Sequence, residues 1–305
     1  MTNVIENEIV KFLNTKQRQA IEMGKLRRKQ LLKATEKFAS TTLESDYPHS
    51  YIYSLGGLGK THNVKKALDK IGLPYEVIGG KASDFGFALK LAVIYHFKPK
   101  GVPFRIVVDD CDAILAPSFI NTLKNMLEGE KKLIWNQYIP EHLLDTPEKV
   151  EAINAVKTAV GFEIPCDDFI FLFTSNYRLP NSNEALAAEA KGPSPSAKKI
   201  VDLNAVRTRI KPKDIIFQND FEWWGWIADA VLNDGSVDHL IDKQKQIELL
   251  RWMWNNWKNL SGRCLRTVNQ LADVMKWDDE DYEDEWNQDY IDHINIKITM
   301  GNGSL

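Results

Sequence analysis

The chain has 305 residues, 44% of them hydrophobic and 27% charged, with a formal net charge of −3. That length suits a globular core with accessory parts, and that composition excludes a disordered or collagen-like chain. No apolar run reaches the length of a bilayer-spanning helix, and the small net charge gives no overall pull toward nucleic acid. Three well-separated cysteines (Cys111, Cys166, Cys264) lack metal-ligand spacing, which argues against a zinc site and for a reducing compartment. The first residues do not have the basic-then-apolar form of a secretion signal, so a cytoplasmic location is expected.

Residues 1–47 read as a helical extension. Ile9, Phe12, Leu13, Ile21, Leu26, Leu31 and Phe38 recur at helical spacing, Gly24 weakens the middle, and Pro48 ends the segment. Between Lys11 and Lys37 stand nine Lys/Arg and two Glu, whereas Lys276–Leu305 carries two Lys and nine Asp/Glu. Solvated helix faces account for this asymmetry most simply, although a basic head and an acidic tail also suit pairing or separate partners.

Strands and helices then alternate over 48–219, the pattern of a parallel sheet covered on both faces. The expected strands are Tyr51–Ser54, Tyr75–Ile78, Phe104–Val108, Phe169–Thr174 and Ile215–Phe217. Between the first strand and a helix over Asn63–Lys70 lies Ser54-Leu-Gly-Gly-Leu-Gly-Lys-Thr61. A strand, a glycine loop ending Gly-Lys-Thr and a helix form the setting of a phosphate-binding loop. Glycines let backbone N–H groups converge on phosphate oxygens, and the helix presents its positive end there. Gly56, Gly57, Leu58, Gly59, Lys60, Thr61 and His62 are the expected nucleotide contacts. Lys60 reaches the outer phosphates, and the Thr61 hydroxyl holds Mg²⁺. The motif departs from its usual form at Ser54, where glycine is the rule.

Gly79–Phe87 places Phe85 and Phe87 ahead of a helix over Ala88–Phe97. Core packing is the favoured reading for both, with a grip on an extended polypeptide as the alternative. The run Arg105–Asp112 ends a continuously apolar strand in acids. Asp109 is expected to hold the metal and Asp110 to polarise water. Residues 131–165 contain a strand-like Leu133–Trp135 and a helix-like Glu148–Val160. Phe169–Asn176 repeats the form of an apolar strand with a polar end. Beside the Asp109 strand, Asn176 faces the terminal phosphate.

Lys191–Ala197 reads as a loop. Arg209, with Arg207 second, follows near the end of a short helix, where a guanidinium can serve a neighbouring subunit's site. From 220 to 276 the chain is helical and rich in Trp (Trp223, Trp224, Trp226, Trp252, Trp254, Trp257), at spacings that suit packing rather than base stacking. Arg263, with Arg266 as fallback, opens a helix there and is a candidate to touch nucleotide. Residues 277–305 form an acidic tail whose Ile294–Met300 alternates as a strand does.

In this order the elements resemble the AAA+ ATPase family over about residues 48–275. Ser54–Thr61 is similar to its Walker A loop and Ile106–Asp110 to Walker B, with Asp110 where the family has Glu. Asn176 resembles sensor 1, Arg209 the arginine finger and Arg263 sensor 2. The segment 131–165 resembles the pre-sensor insertion of some members. Compact single-module members with a short basic head occur among viral ATPases. The resemblance implies an α/β fold: a P-loop three-layer core with a parallel sheet, followed by a small helical lid domain. It further implies ATP and Mg²⁺ as ligands, ATP hydrolysis slowed by the shorter Asp110, and a homo-oligomer, a hexameric ring by family likeness. The macromolecular substrate is protein or nucleic acid, and no membrane is involved. A remodeller of proteins or protein–nucleic-acid assemblies is the leading expectation. The alternatives are a replication-type loader or DNA motor and a nucleotide-gated scaffold with little turnover.

Overall fold

The computed structural model describes residues 12–79, 83–110, 116–128, 131–260 and 262–277. They divide into two units: 33–55 with 60–215, and 12–32 with 56–59 and 216–277. The expected tail strand Ile294–Met300, the acidic tail and Cys111 lie outside the described residues.

The first unit is α/β. Its sheet contains β1 (Ser50–Tyr53), β2 (Tyr75–Gly79), β3 (Phe104–Asp109), β6 (Phe169–Ser175) and β7 (Lys211–Asp214), all parallel, in the order β2-β3-β6-β1-β7. The central strands β3 and β6 are buried almost end to end, because a parallel strand covered on both faces has no solvent side. Helices α2 (Lys60–Ile71), α3 (Asp84–Phe97), α4 (Pro117–Leu127), α5 (Pro147–Val156), α6 (Ser182–Ala190) and α7 (Pro195–Arg207) alternate with the strands. A second, antiparallel pair joins β4 (Lys132–Trp135) and β5 (Phe162–Pro165).

The strands expected at 51, 75, 104 and 169 lie within one residue of their observed ends. The fifth does not. The chain pairs with β1 through Lys211-Pro-Lys-Asp214, not Ile215–Phe217. β7 is an edge strand, where proline costs no ladder bond and charged residues are tolerated, so it carries no apolar signal. Ile215 is buried just after the strand. The helix read as Glu148–Val160 stops at Val156. A turn follows, in which Thr158 N–H donates to the Gly161 carbonyl at 2.8 Å. Gly161 is required there, since a Cβ would meet the Trp135 carbonyl oxygen at 1.8 Å. The expected loop Lys191–Ala197 is half helix: Ser194 caps α7, whose first residue is Pro195.

Phe85 and Phe87 are core residues. Phe85 packs on Trp135 and Phe162, and Phe87 on Phe119. Residues 131–165 thus contribute part of the aromatic core through β4 and β5.

His49 is buried beside β6, and its Nδ1 accepts the Phe171 N–H at 3.2 Å. Burial first, and the Lys131 charge second, pull its pKa from 6.5 down to about 4. The unfolded chain therefore binds the extra proton across that window, and the folded chain refuses it. Stability is complete above pH 6.5, falls as the pH drops toward 4, and levels off below. The contribution is about 3 kcal/mol. Urea unfolding at pH 7 and 4.5 is expected to show wild type losing roughly that much more stability than His49→Gln. Equal losses in the two proteins contradict the assignment.

The second unit is helical. It comprises the first part of α1 (Thr15–Ala39), with α8 (Asp220–Asp234), α9 (Lys243–Asn256) and α10 (Leu265–Trp277). α1 runs unbroken through Gly24, which is a crossing point and not a weakness. A Cβ on Gly24 would lie 1.9 Å from the Trp226 nitrogen, and one on Gly225 would lie 1.7 Å from the Ala20 carbonyl oxygen. Beside that crossing, two residues of the basic head are structural: Arg28 pairs with Asp229 and Asp234, and Arg27 with Glu222 at 2.8 Å. Lys16, Arg18, Lys25, Lys29 and Lys33 remain exposed.

Trp224, Trp226 and Trp257 are buried, as packing spacings imply. Trp254 meets Trp224 and Phe221 edge-on, and these rings border a cavity of about 440 Å³ with Trp257 and Lys258. Among the described residues, no helix is long and apolar enough to cross a membrane.

Candidate functional site

β1, β3 and β6 are adjacent and parallel, so their C-terminal ends share one rim of the sheet, the usual location of ligand sites in α/β units. Three chemistry-bearing segments meet there: the start of α2, and the ends of β3 and β6, each with the residue that follows it. α2 begins at Lys60 and has no acidic side chain in its first turn, so nothing on the helix itself offsets its positive end.

Lys60 is 6% exposed. Its ammonium donates to the Ser54 carbonyl at 2.9 Å, the Leu55 carbonyl at 3.1 Å and Asn176 Oδ1 at 2.8 Å. The Asn176 amide then donates through Nδ2 to Asp110 Oδ1 at 3.2 Å. Lysine only donates and a carboxylate only accepts, so the two neighbours fix which way this amide points. Asn176 and Asp110 are both exposed, and a polar ligand can reach them. Asp110 has φ 50°, in the left-handed region. Aspartate tolerates that conformation better than most side chains.

Thr61 hydroxyl donates to Asp109 Oδ1, and so does Thr174 Oγ1, at 2.7 Å. The pairing of β3 with β6 sets Val108 opposite Phe173, which brings Asp109 level with Thr174. Sequence reading passed over Thr174 as part of an apolar strand. Its signal was a hydroxyl directly after a run of Phe, Ile and Leu, beside Ser175.

The structure thus brings Lys60, Thr61, Asp109, Asp110 and Asn176 together. His62 is exposed on the first turn of α2. Thr61 hydroxyl and Asp109 carboxylate are hard oxygen donors of the kind Mg²⁺ takes, with phosphate and water completing its shell. Among the described residues no cluster of three His, Cys, Asp or Glu forms a protein-only metal cage, the arrangement that Mg²⁺ bound with phosphate does not need.

Gly56–Gly59 group with the helical unit. Gly57 and Gly59 have φ 72° and 75°, which glycine adopts without strain, while Ser54 needs no left-handed angle. That removes the backbone objection to serine at the head of the loop. The Gly57 carbonyl accepts the N–H of Leu265, the first residue of α10, at 3.1 Å, which satisfies one orphan donor of that helix. A Cβ on Gly57 would meet Cys264 at 2.6 Å.

Of the candidate arginines, Arg207, Arg209 and Arg263 are engaged, and Arg266 is exposed. Arg207 donates to the Leu179 carbonyl at 2.9 Å and pairs with Asp214 at 3.1 Å. Arg209 pairs with Glu128 at 2.7 Å and donates to the Ala205 carbonyl at 2.6 Å. Glu128 is exposed, so the Arg209 pair is the more easily exchanged. Arg263 is held inside the helical unit. Asp220 accepts from it at 3.0 Å, and its guanidinium lies 5.7 Å and 5.6 Å from the Trp223 and Trp257 rings. The partners of Arg209 and Arg263 were not legible in the sequence, because each lies more than 40 positions from its arginine, whereas Asp214 stands seven residues from Arg207.

No model of a known protein family matches this chain, and no curated protein matches it in sequence.

Proposed function

We propose that this chain is a cytoplasmic ATPase of the AAA+ kind that works as an oligomer, six-membered by likeness, to remodel proteins or protein–nucleic-acid assemblies. The observation that carries the proposal is the meeting of Lys60, Thr61, Asp109, Asp110 and Asn176 on one sheet rim, with the Asn176 strand directly beside the Asp109 strand. A cation at a helix start, a hydroxyl beside a carboxylate, and an amide linked to a second carboxylate are the parts phosphoryl transfer to water needs.

In this reading the Gly56–Gly59 amides and Lys60 neutralise phosphate charge. Thr61 and Asp109 would hold Mg²⁺, which supplies charge neutralisation between the outer phosphates. Asp110 accepts a proton from, or orients, the attacking water, and Asn176 fixes that carboxylate. Arg209 is the better finger for a neighbour's site, because its carboxylate partner Glu128 is exposed, whereas the Asp214 that holds Arg207 is largely buried. Arg263, the candidate second arginine at nucleotide, is paired with Asp220 inside the helical unit. Phe85 and Phe87, being core, are not the grip on substrate.

The shorter Asp110 and its left-handed backbone favour slow turnover. Asp110→Asn is expected to keep nucleotide affinity and lower hydrolysis at least about tenfold. A wild type no faster than Asp110→Asn fits the scaffold reading and ends the motor one. Mixing Arg209→Ala with Asp110→Asn subunits should restore some activity if the finger acts between subunits. The exposed cations of α1 favour the loader reading as second choice. Strong, salt-sensitive stimulation of turnover by DNA selects it.

A further inference from the structure

We propose that Thr174 is a positioning residue that orients the Asp109 carboxylate toward a bound divalent cation. This rests on the reading of the site as a Mg·ATP site.

Thr174 is fully buried in β6, between Phe173 and Ser175. A buried hydroxyl in an apolar strand carries a desolvation cost unless it is bonded, and valine would fill the same space without that cost. Among the described residues its hydroxyl donates to Asp109 Oδ1 at 2.7 Å. The Thr61 hydroxyl donates to the same oxygen from the opposite element, α2. Two hydroxyls on Oδ1 fix the carboxylate plane, and among the described residues no hydrogen bond reaches Oδ2. Held in this way, the carboxylate presents its other oxygen, Oδ2, to a metal or a metal-bound water. Thr61 is expected to turn toward the cation when it binds. Thr174 does not contact ligand in this scheme. It keeps Asp109 from rotating when Thr61 changes partner, which is how outer hydrogen bonds govern metal affinity.

The test compares ATP affinity by calorimetry with Mg²⁺ and in EDTA for wild type, Thr174→Val and Thr174→Ser. Thr174→Val is expected to weaken Mg·ATP binding about tenfold, leaving affinity in EDTA and the circular dichroism spectrum unchanged. Thr174→Ser, which keeps the hydroxyl, is expected to stay within about twofold of wild type. Unchanged Mg·ATP affinity in Thr174→Val overturns the inference alone. So does an equal loss with and without Mg²⁺, which marks a purely structural role. A wild type that binds no nucleotide under either condition overturns the function reading and this inference together.

Discussion

Replacing Lys60 with alanine is expected to lower affinity for Mg·ATP by about 100-fold or more and to leave the α/β unit folded. The ammonium sits in a nest of three oxygens, the Ser54 and Leu55 carbonyls and Asn176 Oδ1, at 2.8–3.1 Å. Each of these three is a neutral acceptor, so none of them cancels the ammonium charge. A charge-assisted contact to phosphate is worth about 1.5–3 kcal/mol, and losing the charge also weakens attraction over the whole triphosphate. The fold cost is smaller. Water can replace the donor at Asn176, which is exposed, so about 1 kcal/mol of stability is at stake. Lys60→Arg is not conservative here. A planar guanidinium cannot satisfy three converging acceptors in the space of a compact ammonium. Nucleotide affinity by fluorescence titration and melting by circular dichroism separate the two effects. Comparable affinity in Lys60→Ala and wild type removes Lys60 from the site.

Gly24→Ala is expected to destabilise the helical unit by about 3 kcal/mol, against the general rule that alanine improves a helix by about 1 kcal/mol. The reversal follows from the helix crossing. A methyl on Gly24 would lie 1.9 Å from the Trp226 nitrogen and 2.0 Å from the Gly225 carbonyl carbon, all of it main chain that cannot rotate aside. α1 and α8 would have to separate by more than an ångström. That separation would loosen the buried Arg28–Asp229 pair and the more exposed contact of Arg28 with Asp234, leaving charges with poorer partners. Gly225→Ala should behave alike, because its methyl would meet the Ala20 carbonyl oxygen at 1.7 Å. Urea unfolding followed by tryptophan fluorescence reads this well, since Trp223, Trp224 and Trp226 flank Gly225. A neutral or stabilising Gly24→Ala would mean that the two helices do not cross at these glycines.

These results show where the sequence is informative and where it stops. β1, β3 and β6 were legible because burial on both faces forces a largely apolar run with sharp ends, whereas β2, an edge strand with exposed Glu76, was legible without that burial. β7 was not, because an edge strand written Lys-Pro-Lys-Asp has no apolar residue to betray it. Gly24 reads locally as a helix defect, and only the backbone of Gly225, some 200 residues later, gives it a purpose. Among candidate site residues, Lys60, Thr61, Asp109, Asp110 and Asn176 were found because each ends or begins a strand or helix with recognisable punctuation. Thr174 was missed because it sits inside the strand, and its role depends on the register between β3 and β6. The partners Glu128 for Arg209 and Asp220 for Arg263 depend on long-range packing, which no local pattern encodes.

The most direct measurement is calorimetric titration of the wild-type chain with Mg·ATP. Saturable binding at one site per chain, weakened when Mg²⁺ is chelated, is the result predicted by a Lys60–Thr61–Asp109 phosphate and metal cradle. An absence of heat, together with no saturable displacement of a fluorescent adenine nucleotide, would contradict it.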